Sequence, residues 1–136
     1  MTLKKRKYQY LKTQLNEVIQ VSAKEAKKEG KEICGLLVDN GYFIELVQVE
    51  NKVKKGGGFS FYYKEIRAIQ KAVKVLSHEI IGTFHSHPSY INAPGGTDIE
   101  NALDDSFMLI IDVIKRKAGF WHIKNGKARE ITFKLI

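Results

Sequence analysis

The stretch of this chain best equipped for chemistry is His85-Ser86-His87-Pro88, with ten residues between His87 and the acidic Asp98. Side chains alternate across an extended strand, so two imidazoles one residue apart point the same way. A carboxylate returning from the far side of a loop would complete a three-ligand set. Catalytic zinc sites commonly use three nitrogen or oxygen ligands from the protein and leave a fourth position for water. Taken alone, the pair reads as readily as two polar histidines at a strand end with a surface Asp nearby.

Water activated by a metal still needs a proton acceptor, and Glu32 is the best placed carboxylate in the chain. It stands at the mouth of Ile33-Cys34-Gly35-Leu36-Leu37-Val38, a short apolar run suited to a strand buried on both faces. A strand there, lying beside the one that ends at His85, would turn the Glu32 carboxylate toward the histidines. Composition alone favours a plainer reading, an exposed Glu after a Lys-rich helix end.

The elements that must hold these residues follow from periodicity. Tyr8–Leu11 reads as a short strand or as the lead-in to a helix. Leu15, Val18, Ile19 and Ala26 form one stripe of a helix over Thr13–Glu29, stopped by Gly30. Asp39-Asn40-Gly41 suits a tight hairpin, from which Tyr42–Val49 returns as a strand. The Lys- and Gly-rich segment Asn51–Gly58 reads as a loop, and Phe59–Phe61 as a short strand. Lys64–Ser77 carries Ile66, Ile69, Val73 and Leu76 at helical spacing. Glu79–His85 reads as a strand, Ser89–Gly96 as a loop and Asp98–Asp104 as a short helix capped near Thr97 or Asp98. Phe107–Val113 suits a buried strand. Phe120–Lys124 and Ala128–Leu135 suit a hairpin about Asn125-Gly126. Strands and helices in this order predict an α/β fold, a mixed β-sheet flanked by helices, in a single domain over residues 1–136.

Composition bounds the function. One cysteine, Cys34, excludes a disulfide framework and a cysteine-built zinc ribbon, and fits a reducing compartment. No apolar run reaches the roughly 20 residues a membrane helix needs. The basic Met1–Lys7 segment leads into no continuous apolar stretch, so no secretory signal is expected and a cytoplasmic protein is. The balance of 23 Lys and Arg against 15 Asp and Glu gives a net charge of +8 and brings acidic partners into view. The lysines are dispersed, however, which argues against specific nucleic-acid binding.

Taken jointly, Glu32-Ile33-Cys34-Gly35-Leu36-Leu37, then Gly82-Thr83-Phe84-His85-Ser86-His87-Pro88, then Asp98 resembles the JAMM motif of the MPN metallopeptidase family. The family pattern is Glu-x-Cys-Gly-Leu-Leu or close to it, a variable gap, then His-x-His-Pro-x6-Ser-x2-Asp. The resemblance spans most of the chain and is closest to small prokaryotic members. It implies an MPN domain, of cytidine-deaminase-like architecture, that binds one zinc ion (Zn2+) through His85, His87 and Asp98. Glu32 would be the general acid and base. The implied activity is hydrolysis of a peptide or isopeptide bond at the C-terminal tail of a ubiquitin-like or sulfur-carrier protein, with the loops Lys52–Gly58 and Ser89–Gly96 as walls. One position departs: the family serine falls on Gly95. Thr97, Ser86 and Ser89 are the hydroxyls available to stand in, and a scaffold or protein-binding module with impaired catalysis is the alternative reading.

Other singled-out residues have plainer readings. Ser86 should face away from the two histidines, Pro88 fixes the loop exit, and Cys34 is a small buried apolar residue. His78 and His122 lie off the motif spacing, and Trp121 suits the core or sheet surface. The zinc deaminases are excluded, because one cysteine cannot supply their Pro-Cys-x-x-Cys.

Overall fold

A computed structural model describes residues 8–54, 57–88 and 93–136. The elements in chain order are β1 (Gln9–Tyr10), α1 (Lys12–Glu29), β2 (Cys34–Asp39), β3 (Ile44–Val49), α2 (Tyr63–Val75), β4 (Glu79–His87), α3 (Gly96–Asn101), β5 (Ser106–Asp112), β6 (Lys117–Lys124), β7 (Lys127–Glu130) and β8 (Lys134–Leu135). The eight strands form one mixed sheet in the order β7-β6-β5-β4-β2-β3-β1-β8. This is the α/β architecture expected from the pattern of elements.

The sheet is strongly curled. Strands β1 and β6 are five positions apart in the strand order, which in a flat sheet would separate them by about 24 Å. Yet the rings of Tyr10 on β1 and Phe120 on β6 meet edge to face with centroids 5.5 Å apart. Tyr8 closes the same gap, with its ring 5.3 Å from Phe120 and 5.4 Å from Phe107. The concave face is therefore packed with aromatic rings, and α1 adds Leu15, Val18, Ile19 and Ala23 to the core they share with Phe84 and Leu109. The helix ends where Gly30 turns left-handed at φ 64° and donates its N–H to Ala26.

Because strand side chains alternate, Phe84 points into that core while His85 and His87 bracket Ser86 and face the convex side. There Met108, Ile110 and Ile123 form a smaller apolar cluster joined by Ile99 and Ala102. Strand β4 sits at the centre of the sheet, antiparallel to β2 and parallel to β5. At Gly82 the β5 backbone comes so close that an added Cβ would overlap the Phe107 carbonyl, so the approach of β5 to the histidine strand depends on glycine there.

Several boundaries differ from expectation. The first hairpin does not turn on Asn40-Gly41 alone: Asp39 pairs with Ile44, leaving a four-residue loop whose amides at Tyr42 and Phe43 both bond Asn40 Oδ1. The side chain of Asn40 gathers the loop, which relieves the need for a two-residue turn. Phe59–Phe61 pairs with no strand; its backbone is held instead by Asn51. Ala128–Leu135 is not one strand, because the chain leaves β6 after Glu130 and carries β8 to the opposite edge, parallel to β1. That crossing lets Phe133 cover Tyr10 and Phe120. The short helix starts at Gly96 and ends at Asn101, earlier than Asp98–Asp104. Helix α2 has the expected spacing but buries no residue fully, and Leu76 lies past its end, 61% exposed. The Asn125-Gly126 turn is as expected, both residues at positive φ between Lys124 and Lys127. No helix among the described residues is long and apolar enough to cross a membrane. The Met1–Lys7 segment and Ser89 lie outside the described residues, as do parts of the two loops expected to wall the site.

Candidate metal centre

Strand β4 runs two residues further than expected and carries both histidines within it, buried at 0% and 4% exposure. Their period-2 spacing brings the two Nε2 atoms to 3.1 Å. Asp98 stands on α3, as the third residue after the N-cap Gly95. Its Oδ1 lies 3.2 Å from His85 Nε2 and its Oδ2 lies 3.2 Å from His87 Nε2. Among the described residues these three form the only grouping of His, Cys, Asp or Glu able to hold a metal ion.

The donor set fits zinc. Ligand atoms about 2.0–2.1 Å from a tetrahedral ion lie about 3.3 Å apart, close to the three separations above. Two neutral imidazoles and one carboxylate are also the nitrogen and oxygen donors zinc accepts. Burial would raise the Asp98 carboxyl, but hydrogen bonds from His85, His87 and the Gly95 N–H outweigh it and hold the group well below the usual carboxylate range. Asp98 is therefore ionised and ready to act as a ligand.

Glu32 stands two residues before β2, the strand beside β4 in the sheet. Cys34 pairs with His85 in the β2–β4 register, and the Ser86 N–H continues the ladder to the Ile33 carbonyl at 3.1 Å. One residue further, the register carries Glu32 opposite His87, on the face both histidines share. The plainer reading of Glu32 as an exposed residue after a helix end does not hold: Glu32 is 4% exposed. Its Oε2 accepts the Gly58 N–H at 2.7 Å, whereas its Oε1 is buried with no partner among the described residues. A carboxylate oxygen left unpaired in an interior is costly unless it has work to do.

The accessory hydroxyls separate. Ser86 is fully buried on the opposite face, where its Oγ accepts the Ile33 N–H at 2.9 Å. It fastens the Glu32 strand to the histidine strand and is not turned toward the site, in line with the expected alternation. Thr97 is exposed and, with Asp98, lines a cleft of about 1070 Å3 whose other walls include Phe59, Ile66, Thr83 and Phe107. Gly95 offers its N–H to Asp98 Oδ2 at 2.8 Å. Its φ of −82° is open to any residue, and among the described residues a Cβ there would meet only Asp98 Oδ2, at 3.6 Å. His78 approaches Glu45 and His122 approaches Asp105, both outside the triad.

Residues 16–124 match the family model described as prokaryotic homologs of the JAB domain. The chain belongs to that family. The JAB domain is the MPN fold that the motif resembles, so the family match and the sheet geometry agree. Among solved structures, the JAB fold of this chain is similar to that of protein DSY2949 from Desulfitobacterium hafniense, at 23% identity and TM-score 0.78, with 95% of this chain and 92% of that one covered. It is also similar to AF2198, a JAB1/MPN domain protein from Archaeoglobus fulgidus, at 14% identity and TM-score 0.57, covering 96% and 99%. No curated protein matches the chain. The chain is thus a JAB domain with a His-His-Asp grouping able to hold a metal.

Two contributors to this JAB site carry no mark in the sequence. Phe59 lays its ring on His85, with centroids 4.5 Å apart at 30°. Asn51 is buried at 3% exposure beneath the loop that holds Phe59. An Asn followed by lysines and glycines reads as the start of a loop, and only the packing shows it to be interior.

Proposed function

We propose that this JAB-domain protein is a zinc-dependent metallopeptidase that hydrolyses a peptide or isopeptide bond at the C-terminal tail of a ubiquitin-like or sulfur-carrier protein. The observation that carries the reading is the convergence of His85, His87 and Asp98 on one point, with Glu32 buried just ahead of the adjacent strand. His85 Nε2, His87 Nε2 and an oxygen of Asp98 are the ligands. Zinc held by them supplies Lewis acidity, which polarises a carbonyl and acidifies water. Glu32 accepts the proton of the attacking water at Oε1, the oxygen without a partner among the described residues, and delivers it to the departing amine. The Gly58 N–H holds Oε2 and so fixes which oxygen faces the reaction. The cleft beside Asp98 receives the tail as an extended segment, a common mode of peptide capture.

The test is cleavage of a ubiquitin-like fusion by zinc-loaded protein beside its Glu32→Gln variant. Equal rates for the two would remove Glu32 from the mechanism. A second reading is favoured by Gly95, which supplies no hydroxyl: a JAB scaffold that keeps metal and fold and binds tails without turnover. Zinc binding with no cleavage of any tail, and activity gained by Gly95→Ser, would support the scaffold.

A further inference from the structure

Asn51 is the most fully engaged polar side chain near the site. Its amide nitrogen donates to the Glu32 carbonyl at 2.8 Å and to the Gly58 carbonyl at 3.1 Å. Its Oδ1 accepts the Val53 N–H at 2.9 Å and the Ser60 N–H at 3.1 Å. An Asn amide has two donor hydrogens and two acceptor lone pairs, so the side chain uses all four, at 3% exposure. No shorter or purely accepting side chain can replace that set. Asp would lose both donors, and Ala would leave buried carbonyls and amides without partners.

The four bonds tie three separate segments together: the end of β3, the residue that bears the carboxylate, and the turn around Gly58. The consequence falls on two groups of the site. Gly58, at φ 91°, is held with its N–H on Glu32 Oε2 at 2.7 Å. Phe59, the next residue, is held with its ring against His85. Asn51 does not line the cleft and is not one of the triad, so its influence passes through the Glu32 backbone, Gly58 and Phe59.

We infer that Asn51 is a positioning residue for Glu32: it ties Val53, Gly58 and Ser60 together so that the Gly58 N–H holds one carboxylate oxygen and leaves the other to act as the base. The inference rests on the reading of Glu32 as general acid and base. Its structural half, the hold on Gly58, stands apart from that reading.

The experiment compares zinc-loaded wild type, Asn51→Ala, Asn51→Asp and Glu32→Gln. Backbone amide hydrogen exchange is the first readout and cleavage of a ubiquitin-like fusion the second. Loss of either end of the contact should speed Gly58 exchange by about tenfold or more, as local opening does, while the amides of β2, β4 and β5 keep their protection. Asn51→Ala and Asn51→Asp should lower kcat by about 10–100-fold, the range typical of groups that orient a reacting residue. KM and zinc affinity should stay close to wild type. Unchanged Gly58 exchange in both Asn51 variants overturns the inference. So does loss of protection throughout β2, β4 and β5, which would make Asn51 a general structural residue. A fall in KM performance with kcat intact would overturn it too. Wild-type protein that cleaves no tail removes the proposed function, and the Gly58 exchange pattern then decides the hold by itself.

Discussion

The Nε2 atoms of His85 and His87 lie 3.1 Å apart on one face of a central strand, and each is 3.2 Å from an oxygen of Asp98. Three donors this close could hold one ion: the strand pleat sets the two histidines, and α3 brings Asp98 to them. Rigid strands hold such constellations better than loops do.

One zinc ion per chain is therefore the expected stoichiometry, measured by metal analysis after dialysis. Replacing His85, His87 or Asp98 by Ala should weaken binding by more than the roughly 10–100-fold that outer partners cost. Imidazole must be neutral to bind metal, so protons compete and affinity should fall as pH is lowered. Titration calorimetry at neutral and mildly acidic pH checks the sign. Affinity that does not change on acidification would argue against histidine ligands.

Glu32→Gln keeps size and removes the proton acceptor. Zinc content should be retained while kcat falls by about 10²–10⁴, the usual contribution of a positioned acid or base. Metal analysis alongside kinetics separates this outcome from simple loss of the metal.

Gly95→Ser should fold without strain, because the backbone there is extended and the new Cβ has room. Gly95 is also the N-cap of α3, where Ser is better than Gly by a few tenths of a kcal/mol. A small rise in Tm is expected. If a hydroxyl at this position supports the transition state, kcat should rise by about 10²-fold, comparable to one oxyanion donor. An unchanged kcat would show that Gly95 is not what limits turnover.

Cys34 should resist thiol reagents until the protein unfolds. It is fully buried, and burial first, then the Glu32 and Glu65 carboxylates, push its thiol from 9.0 up to about 12. The raised value contributes stability that is complete below pH 9 and is lost as the pH climbs toward 12. Fast reaction of native protein with a disulfide reagent at neutral pH would contradict this.

Gly82→Ala should destabilise the protein through the centre of the sheet, since its Cβ would overlap the Phe107 carbonyl. Overpacking of this kind costs about 1–3 kcal/mol or more, and a lowered Tm reads it directly. Because Gly82 opens the β4–β5 pairing, zinc affinity should weaken with it.

The sequence by itself determined the α/β class, the long first helix, the buried β2 strand, the second Asn-Gly turn and the candidate site residues. Those features depend on local period or on chemical type at fixed spacing, both of which are written in neighbouring residues. His85 and His87 share a face because a strand has period 2, and no distant contact is needed for that. Tertiary structure alone decided that Glu32 is buried opposite His87 and not exposed after a helix. The deciding factor is the β2–β4 register, fastened by Ser86 Oγ across 53 positions of sequence. The same holds for the crossing of β8 to the far edge, drawn by Phe133 packing on Tyr10 and Phe120. It holds again for Asn51, whose four partners are backbone groups, three of them on other segments. A side chain that bonds only to backbone leaves no pattern of residue types behind, so its role becomes visible only once the chain has closed around it.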